Sequence, residues 1–515
     1  MNARSLRRSL YLGLGAGGFG YLLHSNDYDL NSLGFMRLGR AAYAAGRIIV
    51  DYKWSLWGAD WSREATQSLQ ASVHQRSAER LLRLACHNGG VWIKVGQHLG
   101  ALEYLLPGEY TRTLSQLHSD APQSSLADIS RVLKEDLGKE VEEMFSEFSP
   151  RPIGAASLAQ VHKARLKGDG RWVAVKVQHP RVKAHSRVDT VTMEVLVNIV
   201  AKLFPEFKLL WLAEETKKNL PVELDFRMEG RAAQRVRQDF AHLDFLTVPE
   251  ILWEWSSDRV LTMEFVEGGQ VNDLDYMRRH NIDTNKVCED IGRLYSEMIF
   301  VDGYVHCDPH PGNVLVQPRP QGRGHKIALL DHGLYTTLDA GFRYAYAQLW
   351  TAILSADLNG IKEWSQELGV GDLYGLFACM LTARSWQSIS HGLAKAERSH
   401  AENKEIQQYV SSLLPQISDV IDRVPRPMIL IFKTNDLIRS IEHNLRTETA
   451  SAGLLQMSAA CVRAIRATQL PRLQSRAARC RLHLWTAAQL TRIWLYARLL
   501  RLWQSCQRLA LGWLS

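Results

Sequence analysis

Asp308, Asn313 and Asp331 are the residues of this chain whose types and spacing could do chemistry together. They stand in His306-Cys307-Asp308-Pro309-His310-Pro311-Gly312-Asn313 and in Asp331-His332-Gly333. Between these stretches lie two short apolar runs, Val314-Leu315-Val316 and Ile327-Ala328-Leu329-Leu330, joined by a polar loop rich in Gly, Pro and Arg. Such runs predict a β-hairpin, whose strand ends would hold the three groups side by side. Phosphoryl transfer from a nucleotide needs that set. One carboxylate takes the hydroxyl proton, while a second carboxylate and an amide oxygen hold Mg²⁺ against the phosphates. The plain alternative is a surface hairpin whose Asp and Asn residues only shape turns; the spacings would then be coincidence.

The pattern H-x-D-x-x-x-x-N followed by D-x-G is that of kinase catalytic and metal loops, and other elements must then hold the nucleotide. Strands are predicted at Ala159 to Ala164 and Trp172 to Val177, with Gly168-Asp169-Gly170 as the turn between them. Ahead of the first strand, Ile153-Gly154-Ala155-Ala156-Ser157 is a loop of small residues whose backbone N–H groups could approach phosphate oxygens. It lacks G-x-G-x-x-G. Val161 would lie on the first strand behind it. Lys176 ends V-A-V-K, where kinases place the lysine that grips the α- and β-phosphates. That lysine needs a carboxylate on a neighbouring helix, and the candidates are Glu194, Glu214, Glu215, Glu223 and Glu229. In a helix starting at Asp225, Asp225 and Glu229 would share a face; spacing alone does not choose among the five. Arg259 to Gly268 has the layout of a buried strand leaving into a hinge, where the backbone of Glu264 and Val266 would pair with adenine.

Residues 27–145 show helical spacing and few strand signals. In Val91-Trp92-Ile93-Lys94-Val95-Gly96-Gln97, helical periodicity puts Val91, Val95, Leu99, Leu102 and Leu106 on one buried face, and Lys94 and Gln97 on another. Periodicity alone makes Lys94 a solvated lysine. Pro122 marks a break before a run carrying Leu133, Leu137, Val141 and Phe145. After Asp331-His332-Gly333, a helical pattern begins within a few residues, at Leu338, and no A-P-E follows anywhere. The platform that docks a peptide is therefore missing or much reduced. His310 stands two residues after Asp308, where protein kinases often have lysine. Both features favour nucleotide hydrolysis or a small or lipid-like acceptor over a protein acceptor. Arg384, Asp422, Lys433, Asn435 and Arg439 fall in stretches that read as packed helices, and no chemistry is assigned to them.

The charge is unevenly spread. Ten Arg and no acid follow Glu448, so the tail carries +10 and the remainder sums to 52 − 54 = −2. From Arg472 onward, Leu and Arg alternate with Trp485, Trp494, Trp503 and Trp513, predicting a helix with one apolar and one Arg face suited to a membrane interface. Each Arg near an anionic leaflet would contribute about 1 kcal/mol. No nucleic-acid recognition fold accompanies the charge. Arg4, Arg7 and Arg8 with several serines and no acid before Asp27 fit a mitochondrial targeting segment, followed by the uncharged 14-residue run Leu10 to Leu23. That run is short for a membrane span, which needs roughly 20 apolar residues. Gly13 and Gly17 within it suit close helix packing in a bilayer. The seven cysteines form no C-x-x-C pair, which argues for a reducing compartment over the secretory alternative.

Taken together, these motifs resemble the UbiB family of atypical, aarF-domain kinases over roughly residues 85–445. The family's K-x-G-Q is Lys94-Val95-Gly96-Gln97, its alanine-rich loop Gly154-Ala155-Ala156-Ser157, and its E-x-D Glu223-Leu224-Asp225. The resemblance implies that Lys176 pairs with Glu229, that Asp308 is the catalytic aspartate, and that Asn313 and Asp331 hold magnesium. It also makes Lys94 part of a lid that, with Glu223 and Asp225, closes the usual peptide groove. Gly154 departs from the family's usual alanine and would loosen the loop. The expected fold class is α+β, a two-lobed protein-kinase-like fold with a helical N-terminal extension and an amphipathic C-terminal tail. Its expected divisions are 1–26 (targeting), 27–145 (helical extension), 146–268 (nucleotide-binding lobe), 269–446 (helical lobe) and 447–515 (basic tail). The expected activity uses Mg²⁺ with ATP or ADP, at a mitochondrial, inner-membrane location. Partners would be adenine nucleotide, membrane lipid and inner-membrane proteins, in support of lipid or isoprenoid-quinone homeostasis. A soluble small-molecule kinase and a nucleotide-switched pseudokinase scaffold are the alternatives.

Overall fold

The structure, a computed structural model, describes residues 33–57, 64–100, 106–118, 123–204, 210–319, 324–391, 414–445 and 451–512. The targeting segment, the run at 10–23, Leu102 and Pro122 lie outside these residues. The chain divides into two compact units, one of 1–226 with 253–262, the other of 227–252 with 263–515.

The first unit opens with helices α1 (Gly34–Ser55), α2 (Glu64–Asn88), α3 (Val91–Gly100), α4 (Gly108–Leu114) and α5 (Leu126–Leu137). Strands β1 (Phe145–Phe148), β2 (Gly154–Ala155), β3 (Ala159–Leu166) and β4 (Trp172–Gln178) come next, then helices α6 (Val182–Leu203) and α7 (Leu210–Glu223). The chain then passes through α8 (Phe226–Asp239) and β5 (Leu246–Thr247) and returns with β6 (Val260–Glu264). The sheet order is β1-β3-β4-β6, with β2 added beside β3. The β3–β4 turn uses Gly170 at φ 70°.

Helix α3 is shorter and more deeply set than its periodicity suggests. It is described as far as Gly100, and Leu106 is not helical. Both sides are buried: Trp92 and Ile93 join Leu84, Leu114 and Leu117, while Val91 and Val95 join Leu158, Val182 and Leu220. A helix apolar on most of its circumference belongs inside a core. Gly96 is required there, because a Cβ would sit 2.3 Å from Leu117 Cδ1. Arg37 of α1 and Asp189 of α6 form a buried ion pair with Nη2–Oδ2 at 2.5 Å.

The second unit holds the rest of α8, then β7 (Gly269–Gln270) and α9 (Thr284–Ser296), which widens into a π-helical turn at Glu297–Asp302. Strands β8 (Tyr304–His306), β9 (Val314–Pro318), β10 (His325–Leu329) and β11 (Tyr335–Thr337) follow. After them come α10 (Ala340–Ser355), α11 (Leu358–Glu367), α12 (Tyr374–Thr382), α13 (Arg426–Asn444), α14 (Ser451–Gln469) and α15 (Arg476–Gly512). One sheet runs β5-β10-β9-β7, and β11 pairs with β8. Gly303, at φ 84°, turns the chain from the π-helical segment into β8; a Cβ there would lie 2.7 Å from the Leu338 carbonyl.

The basic tail divides in two. Helix α14 is core, with Ala460, Cys461, Val462, Ala464 and Ile465 all buried. A Cβ on Gly292 of α9 would meet Gly453 Cα at 3.0 Å, so the two backbones approach closely there. Helix α15 exposes Leu484, Trp494, Leu495 and Leu499. Its apolar and Arg residues are not segregated: Arg481, Trp485, Arg492, Tyr496 and Leu499, at helical spacing, share a face. No helix among the described residues is long and apolar enough to cross a membrane.

Candidate active site

In the first unit, the β-sheet sets Gly154, Val161 and Lys176 in one row, Val161 being the register partner of both. Directly paired residues share a sheet face, so Val161 and Lys176 do. Lys176 Nζ lies 5.2 Å from the Phe226 ring centroid. The small-residue loop is partly strand: Gly154 and Ala155 form β2, and Ile153 N donates to Val161 O at 2.8 Å. Ala156 N is committed as well, to Ala159 O at 2.8 Å. Ile153 is 54% exposed, whereas Ser157 is buried. Gly154 has no positive φ, and a Cβ there would meet nothing within 4 Å, so the backbone would accept alanine.

A polar network that the sequence reading missed holds this loop. Burial pushes the His179 pKa down, leaving a neutral ring. Its Nε2–H donates to the Ala156 carbonyl at 3.0 Å, and Nδ1 accepts from the Ser124 hydroxyl at 2.9 Å. Gln160 Oε1 accepts from Ser124 N at 2.8 Å, and Gln160 Nε2 bonds His162 Nε2 at 2.9 Å. Ser and His at these positions carry no motif; only the fold brings them together.

The K-x-G-Q helix stands against the same loop. Val91 and Val95 of α3 pack with Leu158, next to Ser157. Lys94, on this mostly buried helix, pairs with Glu223 Oε2 at 2.9 Å; their side chains are 18% and 7% exposed. The solvated-lysine reading is thereby overturned. Gln97 Nε2 donates to Leu117 O at 3.0 Å. Glu223 ends α7, and Asp225 lies in the short link before α8, not inside a helix with Glu229. Of the other carboxylates proposed for Lys176, Glu194 pairs with Lys217 at 2.9 Å, and Glu214 is exposed on α7.

In the second unit, the β9–β10 hairpin pairs Val314 with Leu329, and Leu330 N donates to Asn313 O at 3.0 Å. Asn313 and Asp331 therefore stand at the same end of one hairpin. The β8–β11 pair adds Asp308, since Cys307 N donates to Leu334 O at 2.9 Å. Asn313 Nδ2 donates to the Asp308 carbonyl at 3.1 Å, so Oδ1 is the atom that could face a cation. Asp331 Oδ1 accepts from Gly333 N at 2.9 Å. A Cβ on Gly333 would lie 3.1 Å from that oxygen and 3.8 Å from Glu229 Oε2, so the D-x-G glycine leaves room between two carboxylates. Glu229 itself is buried in the first turn of α8.

His306 braces this end. Burial pushes its pKa down and keeps it neutral. A carbonyl only accepts, so Nε2–H donates to Asp331 O at 2.7 Å and Nδ1 accepts from the Tyr295 hydroxyl at 2.8 Å. Glu264 ends β6 and its N–H is committed to Glu250 O at 2.9 Å; Val266 follows in the connector to β7. Asp308 carries a partner that no local pattern announces: Lys433 Nζ of α13, 2.9 Å from Oδ1.

The donor set suits a hard cation. One amide oxygen and one carboxylate are what Mg²⁺ takes from a protein when phosphates complete its shell. No group of three or more His, Cys, Asp or Glu among the described residues could hold a metal.

Residues 116–365 match the ABC1 atypical kinase-like domain. The chain is 51% identical over 489 residues to AarF domain-containing protein kinase 1 of Gallus gallus, covering 95% of this chain and 94% of the relative. The Mus musculus protein of the same name is 52% identical over 466 residues, 90% of this chain and 89% of that one. An ABC1 family protein, MCP2 homolog, of Schizosaccharomyces pombe is 39% identical over 443 residues, 83% and 79% of the two chains. The hairpin, the V-A-V-K strand and the Lys94–Glu223 helix pair thus sit in a chain that belongs to the ABC1/AarF family of atypical kinase-like proteins.

Proposed function

We propose that this protein binds a magnesium–adenine nucleotide and hydrolyses it or passes its terminal phosphate to a small or lipid-like hydroxyl. The observation that carries the reading is the clustering of Asp308, Asn313 and Asp331 at one hairpin end. Bound there, the metal would supply charge neutralisation for the terminal phosphate. Asn313 Oδ1 and the Asp331 carboxylate would be its protein ligands. Asp308 accepts the proton of the attacking hydroxyl or water. Lys176 would grip the inner phosphates, and the backbone at Glu264 and Val266 would seat the adenine. The chain after Gly333 reaches α10 within a few residues, which leaves no long segment to seat a peptide and favours a non-protein acceptor.

We further place the protein on the inner mitochondrial membrane, in lipid or isoprenoid-quinone homeostasis. Support comes from the Arg-rich, acid-poor amino terminus and from α15, which exposes Trp494, Leu495 and Leu499 among its arginines. The test is phosphate release by the full chain, with and without anionic liposomes, beside Asp308→Asn. The expected result is magnesium-dependent release that liposomes raise and Asp308→Asn abolishes. Equal rates in the two proteins would reject the enzyme reading and leave a nucleotide-switched scaffold.

A further inference from the structure

Asp308 is held from outside its own loop. Lys433 Nζ lies 2.9 Å from Asp308 Oδ1, and the two side chains are 14% and 27% exposed. Residues 306–313 contain no Lys or Arg. His310 occupies the position where a catalytic-loop lysine would stand, and its Nδ1 accepts from Gly312 N at 3.2 Å.

Lys433 is aimed rather than tethered loosely. Its neighbours on α13, Ile431, Phe432 and Thr434, are buried. The Thr434 hydroxyl lies against Cys307, next to Asp308. Asn435 Nδ2 donates to the Tyr346 hydroxyl at 3.2 Å, and Arg439 Nη1 to Leu381 O at 2.8 Å. An attacking oxygen that gives its proton to Asp308 must sit within one hydrogen bond of that carboxylate. Bonded to the same carboxylate oxygen, it lies within about 6 Å of Lys433 Nζ, two hydrogen-bond lengths, and a swing of the flexible lysine stem would bring the ammonium toward the phosphoryl group it attacks.

We propose that Lys433 is a further catalytic residue of the proposed reaction. Without nucleotide, its ammonium pairs with Asp308; with a triphosphate bound, and through transfer, it contacts the oxygens of the terminal phosphoryl group. It replaces, from a distant helix, the cation that the catalytic loop lacks. In the step, the acceptor oxygen bonds to the terminal phosphorus while the bond to the bridging oxygen breaks. The electron pair leaves with the nucleoside diphosphate, and the acceptor's proton goes to Asp308. Lys433 stays protonated throughout and offsets charge on the equatorial oxygens.

This assignment rests on the nucleotide reading above, and the test separates the two. Full-length wild type, Lys433→Met and Lys433→Arg are titrated with Mg–ADP and with a non-hydrolysable Mg–ATP analogue, and phosphate release is measured on ATP. Lys433→Met should keep its ADP affinity and lose on the order of tenfold in affinity for the triphosphate analogue. Its phosphate release should fall further than that, and Lys433→Arg should restore the triphosphate preference. Equal weakening of both nucleotides, or no change in their ratio, would show a lysine that only braces Asp308 and would overturn the assignment alone. Wild type without magnesium-dependent nucleotide affinity would overturn the nucleotide reading as well. Should Lys433→Met fail to fold, Lys433→Gln and Lys433→Arg carry the same ratio measurement.

Discussion

Breaking the Lys94–Glu223 pair should cost about 2 to 3 kcal/mol. Exposed ion pairs contribute about 0.2 to 1 kcal/mol, whereas removing one partner of a fully buried pair costs about 3 to 5 kcal/mol. Here the nitrogen and oxygen are 2.9 Å apart and the side chains are 18% and 7% exposed. Solvent at Lys94 screens part of the interaction, so Lys94→Met belongs below the buried limit, at about 2 to 3 kcal/mol, because Glu223 remains buried without its counter-charge. Glu223→Gln leaves a neutral amide and should cost about 1 to 2 kcal/mol. A double-mutant cycle in urea should then give a coupling energy of about 1.5 kcal/mol. Hydrogen exchange reads the same loss locally. If the pair holds α3, a 2 kcal/mol weakening speeds exchange of its amides by about thirtyfold where local opening controls it. A coupling energy under about 0.5 kcal/mol, with unchanged exchange at α3, would refute the reasoning and leave apolar packing as the helix's sole anchor.

Glycine substitutions should split by position. Gly39→Ala, with nothing within 4 Å of its Cβ, should raise stability by up to about 1 kcal/mol through helix propensity. Gly96→Ala should lower stability by about 1 kcal/mol or more, since its Cβ would press on Leu117, which is 1% exposed and cannot yield. Urea midpoints of the two variants check both signs. Acidification should destabilise the fold: burial lowers the pKa values of His74, His162, His179, His306 and His310 below 6.5. The unfolded chain then takes up protons near pH 6.5 that the folded chain resists, so stability is lost as pH falls from 6.5 toward the lowered values. The limit is about 1.4 kcal/mol per pH unit for each group, and Tm measured from pH 8 to pH 5.5 should fall. A flat or rising Tm would contradict it. Burial pushes the Cys307 thiol up to about 12, so native protein should be alkylated at exposed Cys86 and Cys480 while Cys307 reacts only on unfolding; mass mapping of the labelled protein reads this out.

What the sequence disclosed was local. Apolar runs of strand length predicted the hairpin, and the fixed offsets of Asp308, Asn313 and Asp331 from its strands carried their juxtaposition. The Gly168–Gly170 turn and the V-A-V-K strand were equally readable, because turn chemistry and side-chain alternation act over a few residues. Long-range partners left no such trace. Lys433 lies 125 positions from Asp308 on a helix with ordinary packing periodicity, and Ser124, Gln160 and His179 converge on the small-residue loop only after β3 and β4 pair. Lys94 read as solvated because periodicity counts apolar positions on one face; a helix buried on two faces turns an apparently polar side inward, where lysine must find a carboxylate. The burial of the first part of the tail was likewise not legible. Its charge was averaged over a stretch whose first part, α14, buries its small residues against α9 while only α15 is largely exposed.

The most direct test is an equilibrium titration of ATP into the full chain, with and without magnesium, for wild type and Asp331→Asn. Wild type should bind saturably and more tightly with magnesium, and Asp331→Asn should lose that magnesium-dependent gain, by on the order of tenfold. Magnesium-independent affinity, equal in both proteins, would contradict the assignment of the hairpin end as the metal and phosphate site.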